Sequence, residues 1–198
     1  MSCQPTSGVK RKRLESAKRA ETQNPADLVH RIYEEHGWKV EPSREKHYFV
    51  KVTPEMIEAY DKEILRAVRE KNLEKLKGLH QQGRVLQCCN RFGESLLHMA
   101  CRNGLTDIVK FLVKEAKVSL HVRDDYGRTP FHDACWTVEP NFALVEFLIQ
   151  EAPELVGLSD VRGHTPFSYV RKNHWKQWVE FLNERKAMLL ERKEPKLG

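Results

Sequence analysis

The sequence predicts an all-α protein, a helical solenoid of about four repeats preceded by a short helical or extended segment. Three observations predict this fold class. Similar segments open around three regularly spaced glycines, Gly93, Gly127 and Gly163, which lie 34 and 36 residues apart. An apolar segment follows each of them, and an earlier, weaker copy precedes them. Repeats of this length are typical of stacked architectures, in which each unit buries its apolar face against the next.

The positive charge of the chain lies mainly at its start. The 198 residues carry 34 Lys and Arg against 28 Asp and Glu, a net charge of +6. Residues 1–20 hold six of the basic residues and one acidic residue, so the remainder is nearly neutral. Folded nucleic-acid-binding domains usually spread basic residues over one face. We therefore expect the folded domain not to bind nucleic acid.

Composition also argues against membrane, disulfide and metal-binding classes. No stretch approaches the roughly 18 to 20 apolar residues of a membrane-spanning helix, and the start lacks the apolar core of a secretory signal. The odd set of five cysteines has no Cys-x-x-Cys spacing, so neither a disulfide framework nor a metal site is predicted. We expect an intracellular protein, in the nucleus or cytoplasm, with no membrane partner and no cofactor.

Residues 1–20 are expected to form a basic, disordered tail. Its cluster of Lys10, Arg11, Lys12 and Arg13 is a candidate nuclear import signal, because acidic grooves of import receptors bind such clusters. The alternative is an end that only promotes solubility.

Residues 21–54 do not follow the repeat. Asn24 and Pro25 predict the start of a short amphipathic helix that ends at Gly37. Lys46–Val52 is predicted as a strand or an extended segment, and Thr53 with Pro54 opens another helix by the same capping logic. We expect this region to pack on the first repeat, and the alternative is that it docks a partner.

Each repeat is predicted to be a turn, a helix, a second helix and a return loop. In the unit 124–159, Gly127 permits a tight turn, Thr129 caps the first helix and Pro130 takes its first position. Ala134 and Cys135 are small, which lets a neighbouring helix approach; Cys101 is expected to be a core residue of the same kind. The second helices contain the similar segments Ile108–Leu112, Leu144–Leu148 and Trp178–Leu182.

The repeat register tolerates one insertion and one degenerate copy. The second segments recur at 36 and 34 residues, the reverse of the glycine spacing, so two extra residues must lie within 136–141. When the sequence is aligned with itself at a shift of 33 residues, Ala67 aligns with Ala100 and Leu79 with Leu112. The polar run at 69–75 suits a terminal repeat that faces water. The predicted repeats are 57–89, 90–123, 124–159 and 160–188, followed by a charged tail at 189–198.

These residues resemble the ankyrin repeat family, whose signature is Thr-Pro-Leu-His-x-Ala. The match is strongest in GRTPFHDA at 127–134, and GESLLHMA at 93–100 and GHTPFSYV at 163–170 follow it in part. The resemblance covers residues 55–188 and implies a unit of a β-turn and two antiparallel helices. It also implies that His98 and His132 tie adjacent turns together. Ser168 replaces this histidine, which predicts a looser final repeat.

The same resemblance implies a concave binding face, built from turn tips and the exposed side of the first helices. Carried over position by position, the predicted partner-binding residues are Arg91, Phe92, Glu94, Arg102 and Asn103, then Arg123, Asp125, Tyr126, Arg128, Trp136 and Thr137, and finally Val161, Arg162, His164, Lys172 and Asn173. Aromatic residues among arginines are typical of interface centres. Such a face is expected to prefer acidic or aromatic-containing partners.

No catalytic motif is recognised, so we expect no enzyme and no catalytic residue. His132 and Asp133 are adjacent on a helix and point about 100° apart, which is unlike a base and its orienting carboxylate. The leading hypothesis is a protein-interaction adaptor that binds another protein through the concave face. The alternative is a chromatin- or nucleic-acid-associated factor anchored by the basic tail. A further alternative is that residues 21–54 recruit an enzyme while the repeats select its target.

Overall fold

The computed structural model describes residues 23–37 and 48–191. Apart from one isolated β-bridge between Cys89 and Ser95, the described residues contain no strand. The helices are α1 Pro25–Glu35, α2 Pro54–Ala59, α3 Lys62–Arg69, α4 Leu73–Gln81, α5 Leu96–Arg102, α6 Thr106–Lys114, α7 Pro130–Cys135, α8 Phe142–Glu151, α9 Trp175–Glu184 and α10 Lys186–Leu190. Three 3-10 helices cover Pro153–Gly157, Pro166–Tyr169 and Lys172–His174. The all-α solenoid prediction is confirmed.

Successive helix pairs stack side by side and share one core. The pairs are α3 with α4, α5 with α6, and α7 with α8, and the first helices of neighbouring pairs contact each other. Ala67, Ala100 and Ala134 recur at the centres of these first helices with no exposed surface, which allows the helices to approach closely. Cys101 and Cys135 are buried as predicted, and burial raises the pKa of both thiols.

Each turn is held by the side chain that begins it. The Oδ1 atoms of Asn90, Asp124 and Asp160 each accept two backbone N–H groups, from the residues two and four positions later, at 2.8 to 3.1 Å. Gly93 completes the first of these turns with a φ of +79°, a conformation that favours glycine. The turn therefore depends on two positions, the amide or carboxylate at its start and the glycine.

Buried histidines connect one turn to the next. His98 Nδ1 accepts the backbone N–H of Ser95 at 3.1 Å, so its Nε2 carries the hydrogen and donates to the Arg128 carbonyl at 2.9 Å. His132 repeats this arrangement, with Nε2 3.1 Å from the carbonyl oxygen of His164. Burial lowers the pKa of His98 and lowers that of His132 to about 4. Both imidazoles are therefore neutral at neutral pH.

The insertion and the last repeat change the local geometry. Six residues, 136–141, join α7 to α8, whereas three residues join α5 to α6. The predicted lengthening of this turn is confirmed. In the last repeat the first helix is a single 3-10 turn, Pro166–Tyr169, and not an α-helix. Ser168 has replaced the bridging histidine there, and its hydroxyl lies 3.3 Å from Thr165 Oγ1.

The N-terminal helix packs on the last repeat, and not on the first as predicted. α1 contacts α9 and the 3-10 helix at Pro166–Tyr169, and Lys186 forms an ion pair with Glu35 at 3.1 Å. The apolar side of α1, including Leu28, Val29 and Ile32, is buried. The physical reason is that the last repeat has an apolar outer face, whereas the first repeat exposes the polar side chains of Arg69, Glu70, Lys71 and Glu74.

Residues 48–52 contact the return loop that contains His121. The N–H of Val50 donates to the His121 carbonyl at 2.9 Å, and His121 Nε2 lies 3.1 Å from the Tyr48 hydroxyl and 2.7 Å from Glu154 Oε1. The hydrogen bonds from His121 and Tyr48 hold the pKa of Glu154 below its usual range despite burial. Of the two interpretations left open by the sequence, the strand is wrong for the described residues, because Tyr48 lies in a 3-10 turn, Phe49 lies in a bend and 50–52 form no strand.

The C-terminal boundary of the folded part lies later than predicted. Leu189, predicted to begin the charged tail, is 1% exposed and belongs to α10, which packs against α8. The basic tail with its import signal, residues Lys46 and His47, and the last residues of the C-terminal tail lie outside the described residues. Within 23–37 and 48–191, every helix is too short or too polar to cross a bilayer.

Replacing the bridging histidine should change how stability depends on pH. Because the pKa of His132 falls from 6.5 in the unfolded chain to about 4 on folding, the unfolded chain binds the proton first, and stability falls as the pH drops through this window. We expect protonation of His132 in the unfolded chain to lower the free energy of unfolding by about 2 kcal/mol between about pH 7 and pH 5. His132→Gln should be less stable at neutral pH but lose about 2 kcal/mol less on acidification.

The measurement is urea unfolding of both proteins at the two pH values. His30→Gln, which makes the same change at an exposed histidine of α1, is the control for the substitution itself. A pH dependence for His132→Gln equal to that of the wild type would contradict the assigned role.

Candidate partner-binding face

Three aromatic side chains are exposed along one series of turns and helix ends. Phe92 and Tyr126 lie at two turn tips and are 49% and 56% exposed, and Trp136, at the end of α7, is 42% exposed. We call the turns 90–94, 124–128 and 160–164, together with the adjoining helix ends, the candidate face. Exposed apolar side chains mark an interaction site when they form a continuous patch.

Arg102 is held at the candidate face by two carboxylates. Its guanidinium contacts Asp133 through Nη2 to Oδ2 at 2.9 Å and Nε to Oδ1 at 3.3 Å, and Nη1 lies 2.8 Å from Glu94 Oε1. The Asp133 side chain is only 1% exposed, and burial raises its pKa although Arg102 acts in the opposite direction. The arginine is therefore part of the repeat packing as well as part of the surface.

The next two turns repeat the pairing of an arginine with a buried aspartate. Arg128 donates from Nε to Asp124 Oδ2 at 2.7 Å, and its Cζ lies 5.1 Å from the ring centroid of Tyr126. Arg162 Nη2 lies 3.5 Å from Asp160 Oδ2. Both aspartates are the residues that hold the turns, so each arginine is tied to the turn that carries it.

Tyr169 lies at the centre of this arrangement and was missed by the sequence analysis. Its hydroxyl donates to Asp160 Oδ2 at 2.6 Å and accepts from Arg162 Nη2 at 2.7 Å. Its ring centroid lies 5.9 Å from that of Trp136 and 5.5 Å from that of His132. Burial opposes ionisation of Asp160, but hydrogen bonds led by the one from Tyr169 outweigh it and lower the pKa of this carboxyl.

The contact between Asp133 and Arg102 was not predicted from the sequence either. The available signal was weak, because the equivalent position carries Met99 in one repeat and Tyr169 in another. A position that varies in this way gives no repeat pattern to follow.

Two predicted residues are directed elsewhere. Arg123 lies over the ring of Phe49, with Cζ 4.7 Å from the centroid, so it connects residues 48–52 to the repeats. Thr137 is buried, and its hydroxyl lies 3.4 Å from the Ala134 carbonyl, to which it donates. Neither side chain is placed among the exposed aromatic residues.

The other predicted residues lie on the surface with local partners. Arg91 Cζ lies 4.7 Å from the Phe92 ring centroid, and Asn103 Nδ2 donates to the Met99 carbonyl at 2.8 Å. His164 Nδ1 lies 3.9 Å from Asp160 Oδ2, and Lys172 lies over the Trp175 ring. The exposed members of the predicted set are Arg91, Phe92, Arg102, Asn103, Asp125, Tyr126, Trp136, Val161, Arg162, His164, Lys172 and Asn173, whereas Glu94 and Arg128 are partly buried.

The buried titratable groups of the described residues are held in packing contacts. In that part of the chain, no group of three or more His, Cys, Asp and Glu side chains is arranged to hold a metal ion. Burial raises the pKa of Cys88 to about 12, and the thiol, unlike the thiolate, is a poor nucleophile. The bridging histidines use both ring nitrogens in packing contacts.

Comparison with known proteins identifies the repeat. Residues 64–156 match the family model for ankyrin repeats in three copies. A Caenorhabditis elegans protein named "Putative glutaminase 2" is 32% identical over 71 residues, which is 36% of this chain and 12% of that protein. The eye-specific diacylglycerol kinase of Drosophila melanogaster is 42% identical over 53 residues, 27% of this chain and 4% of the kinase. The matched residues span only a small part of the length of each relative.

Removing the Tyr169 hydroxyl should destabilise the protein. Tyr169→Phe deletes the bridge between Asp160 and Arg162, and hydrogen bonds to charged groups contribute about 1.5 to 3 kcal/mol. We expect a loss of about 1 to 2 kcal/mol in the free energy of unfolding, measured by urea denaturation at neutral pH, because Tyr169 is partly exposed. Tyr126→Phe, on a more exposed ring, is the matched control and should stay within about 0.5 kcal/mol of the wild type. Equal losses would contradict the bridging role.

Proposed function

Because residues 64–156 are ankyrin repeats, we propose that this protein is an adaptor that binds a partner protein through the candidate face, with no catalytic activity of its own. Ankyrin repeats are protein-interaction modules and are typically not enzymes. The family leaves the partner and the binding residues open, since specificity lies in the side chains grafted onto the repeat.

The observation that carries the proposal is the set of exposed aromatic side chains held by local contacts. Trp136 packs against Tyr169, and Tyr126 lies against the guanidinium of Arg128. Side chains already restricted in the free protein lose less conformational entropy when a partner orders them. Tryptophan, tyrosine and arginine are also the residues that most often dominate binding energy at interfaces.

The ion pairs favour a partner with apolar or aromatic side chains and carbonyl acceptors over a strongly acidic one. Arg102, Arg128 and Arg162 each contact an aspartate that is almost entirely buried, so much of their charge is already balanced. A guanidinium has five N–H donors, and those not used by the aspartate remain available to the partner. The candidate face thus offers oriented hydrogen-bond donors next to aromatic rings.

The test compares wild type with the double variant Tyr126→Ala, Trp136→Ala. Proteins captured from the native cell are identified, and the affinity of each purified candidate is then measured. We expect the double variant to bind at least about tenfold more weakly, since aromatic hot spots typically contribute about 2 kcal/mol or more. The control, Ile57→Ala with Val85→Ala, removes two apolar side chains that are 40% and 55% exposed and lie outside the candidate face.

Circular dichroism and thermal melting establish that both double variants are folded. A partner that binds the Tyr126→Ala, Trp136→Ala variant with unchanged affinity would contradict the proposal and direct attention to residues 21–54 or to the basic tail.

The basic cluster supports a second, independent proposal about location. Lys10, Arg11, Lys12 and Arg13 have the composition of an import signal, and an import receptor would then be a further partner. A nuclear adaptor could act as a chromatin-associated factor, whereas a solvated tail would leave the protein in the cytoplasm. These residues lie outside the described part of the structure.

A reporter fused to residues 1–20 tests the import signal. The fusion should accumulate in the nucleus, because the cluster offers four adjacent positive charges to an acidic receptor groove. The variant with all four basic residues changed to alanine is the control and should distribute as the reporter alone does. An even distribution of the unaltered fusion would disprove the import signal.

A further inference from the structure

The last turn of the stack has an open edge. In the first two turns the residue before the glycine offers its carbonyl to the following turn, so that Phe92 accepts the N–H of Asp125 at 2.8 Å and Tyr126 accepts that of Val161 at 3.0 Å. The corresponding carbonyl of the last turn belongs to Arg162. Residues 23–37 and 48–191 supply no backbone donor to it.

The space beside the turn glycines shows the same difference. A Cβ atom added to Gly93 would lie 2.7 Å from the Arg123 carbonyl oxygen, and one added to Gly127 would lie 3.2 Å from the Val161 nitrogen. Each glycine is therefore covered by the backbone of the following turn. A Cβ atom added to Gly163 would meet none of the described atoms within 4 Å.

The histidine contact between repeats also stops at this point. His98 and His132 each reach a carbonyl in the turn that follows their own repeat. Ser168 occupies the equivalent position of the last repeat and is exposed. The serine side chain is shorter than that of histidine and does not reach as far as the next turn would lie. Its hydroxyl can therefore contact only a segment that lies directly against the last repeat.

The N-terminal helix covers the last repeat without closing this edge. Its contacts are with α9 and with Pro166–Tyr169. Between α1 and the last turn lies a cavity of about 450 Å³. Its walls include Ala26, Asp27 and Val29 of α1 and Gly163, Thr165 and Ser168 of the last repeat.

We propose that this cavity and the open edge of the last turn bind a β-turn of a partner protein. The partner's main chain would lie where each earlier turn receives its successor, with one N–H donating to the Arg162 carbonyl and a backbone segment packed against Gly163. Main-chain pairing at an exposed edge is a general mode of peptide recognition. The site shares the turn 160–164 with the candidate face, but the cavity walls include none of the exposed aromatic residues Phe92, Tyr126 and Trp136.

The walls of the cavity also specify the side chains of that turn. Their ionisable side chains are the exposed carboxylate of Asp27 and the exposed imidazole of His30, with no lysine or arginine, so a basic residue that flanks the turn beside Asp27 is favoured. Val29 and Val156 provide a small apolar wall. The ligand is therefore a tight turn with a neighbouring Lys or Arg, and it would resemble the chain's own turns, which start with Asn or Asp and contain a glycine.

The probe is a displayed library of short disulfide-cyclised turn peptides, selected against the full chain. Enriched peptides are then synthesised and titrated while the amide resonances of the protein are recorded by NMR. We expect turns with a basic flank to be enriched, and shifts to concentrate at Asp27, Gly163 and Ser168. Methylation of the peptide nitrogen that pairs with Arg162 should weaken binding about tenfold, since it removes the donor.

Two variants fill the cavity from opposite walls. Ser168→Trp and Ala26→Trp should each weaken the selected peptides at least about tenfold, with thermal melting as the check on folding. Tyr126→Ala, on the candidate face, is the control and should bind them as the wild type does. Because the two walls belong to different elements, a folding defect in one variant leaves the other as the test.

Three results would overturn the proposal. The first is a selection that enriches no turn peptide, and the second is binding that survives both tryptophan variants or the methylated nitrogen. The third is binding that appears only after deletion of residues 1–22, which would assign the cavity to the chain's own N-terminal segment.

Discussion

The arrangement of the repeats depends on the hydrogen bonds of two buried imidazoles. His98 and His132 each accept a backbone N–H at the start of their own helix and donate to a carbonyl of the next turn. A buried polar group without its partner would cost about 1 to 3 kcal/mol, so the spacing of adjacent turns is closely determined. The same spacing sets the distance between the aromatic side chains at the turn tips. The stacking of the repeats and the spacing of the exposed aromatic side chains therefore both depend on the hydrogen bonds of these histidines.

A linear stack contacts mainly its neighbours in sequence, but this chain adds a contact between its ends. α1 lies against the last repeat, and the Glu35 to Lys186 ion pair joins residues 151 positions apart. Residues 48–52 then cross to the return loop around His121. This long-range closure couples the first described helix to the last ones, so the repeats are not independent units. It also shields the helices of the last repeat while leaving its turn accessible.

The candidate face obtains its order from buried carboxylates. Asp124 and Asp160 each hold a turn through backbone N–H groups and an arginine through the second oxygen. Asp133 holds Arg102 from beneath the surface. Because a buried carboxylate balances the charge of each guanidinium, the guanidinium attracts an acidic partner less strongly. The same contact fixes the direction of its remaining N–H donors. The face therefore distinguishes partners by shape and hydrogen bonding more than by net charge.

The sequence by itself determined the repeat, its register and the helix starts at Thr129 and Thr53, and its family resemblance implied the roles of the two histidines, because these depend on contacts within one unit and its immediate copy. The position of α1, the burial of Leu189, the Tyr169 bridge and the direction of Arg123 depended on the tertiary structure. Each involves residues brought together by the stack or by its closure, at positions where the repeats differ from one another. A pattern that recurs is visible in a sequence, whereas a contact made once between distant segments has no period to reveal it.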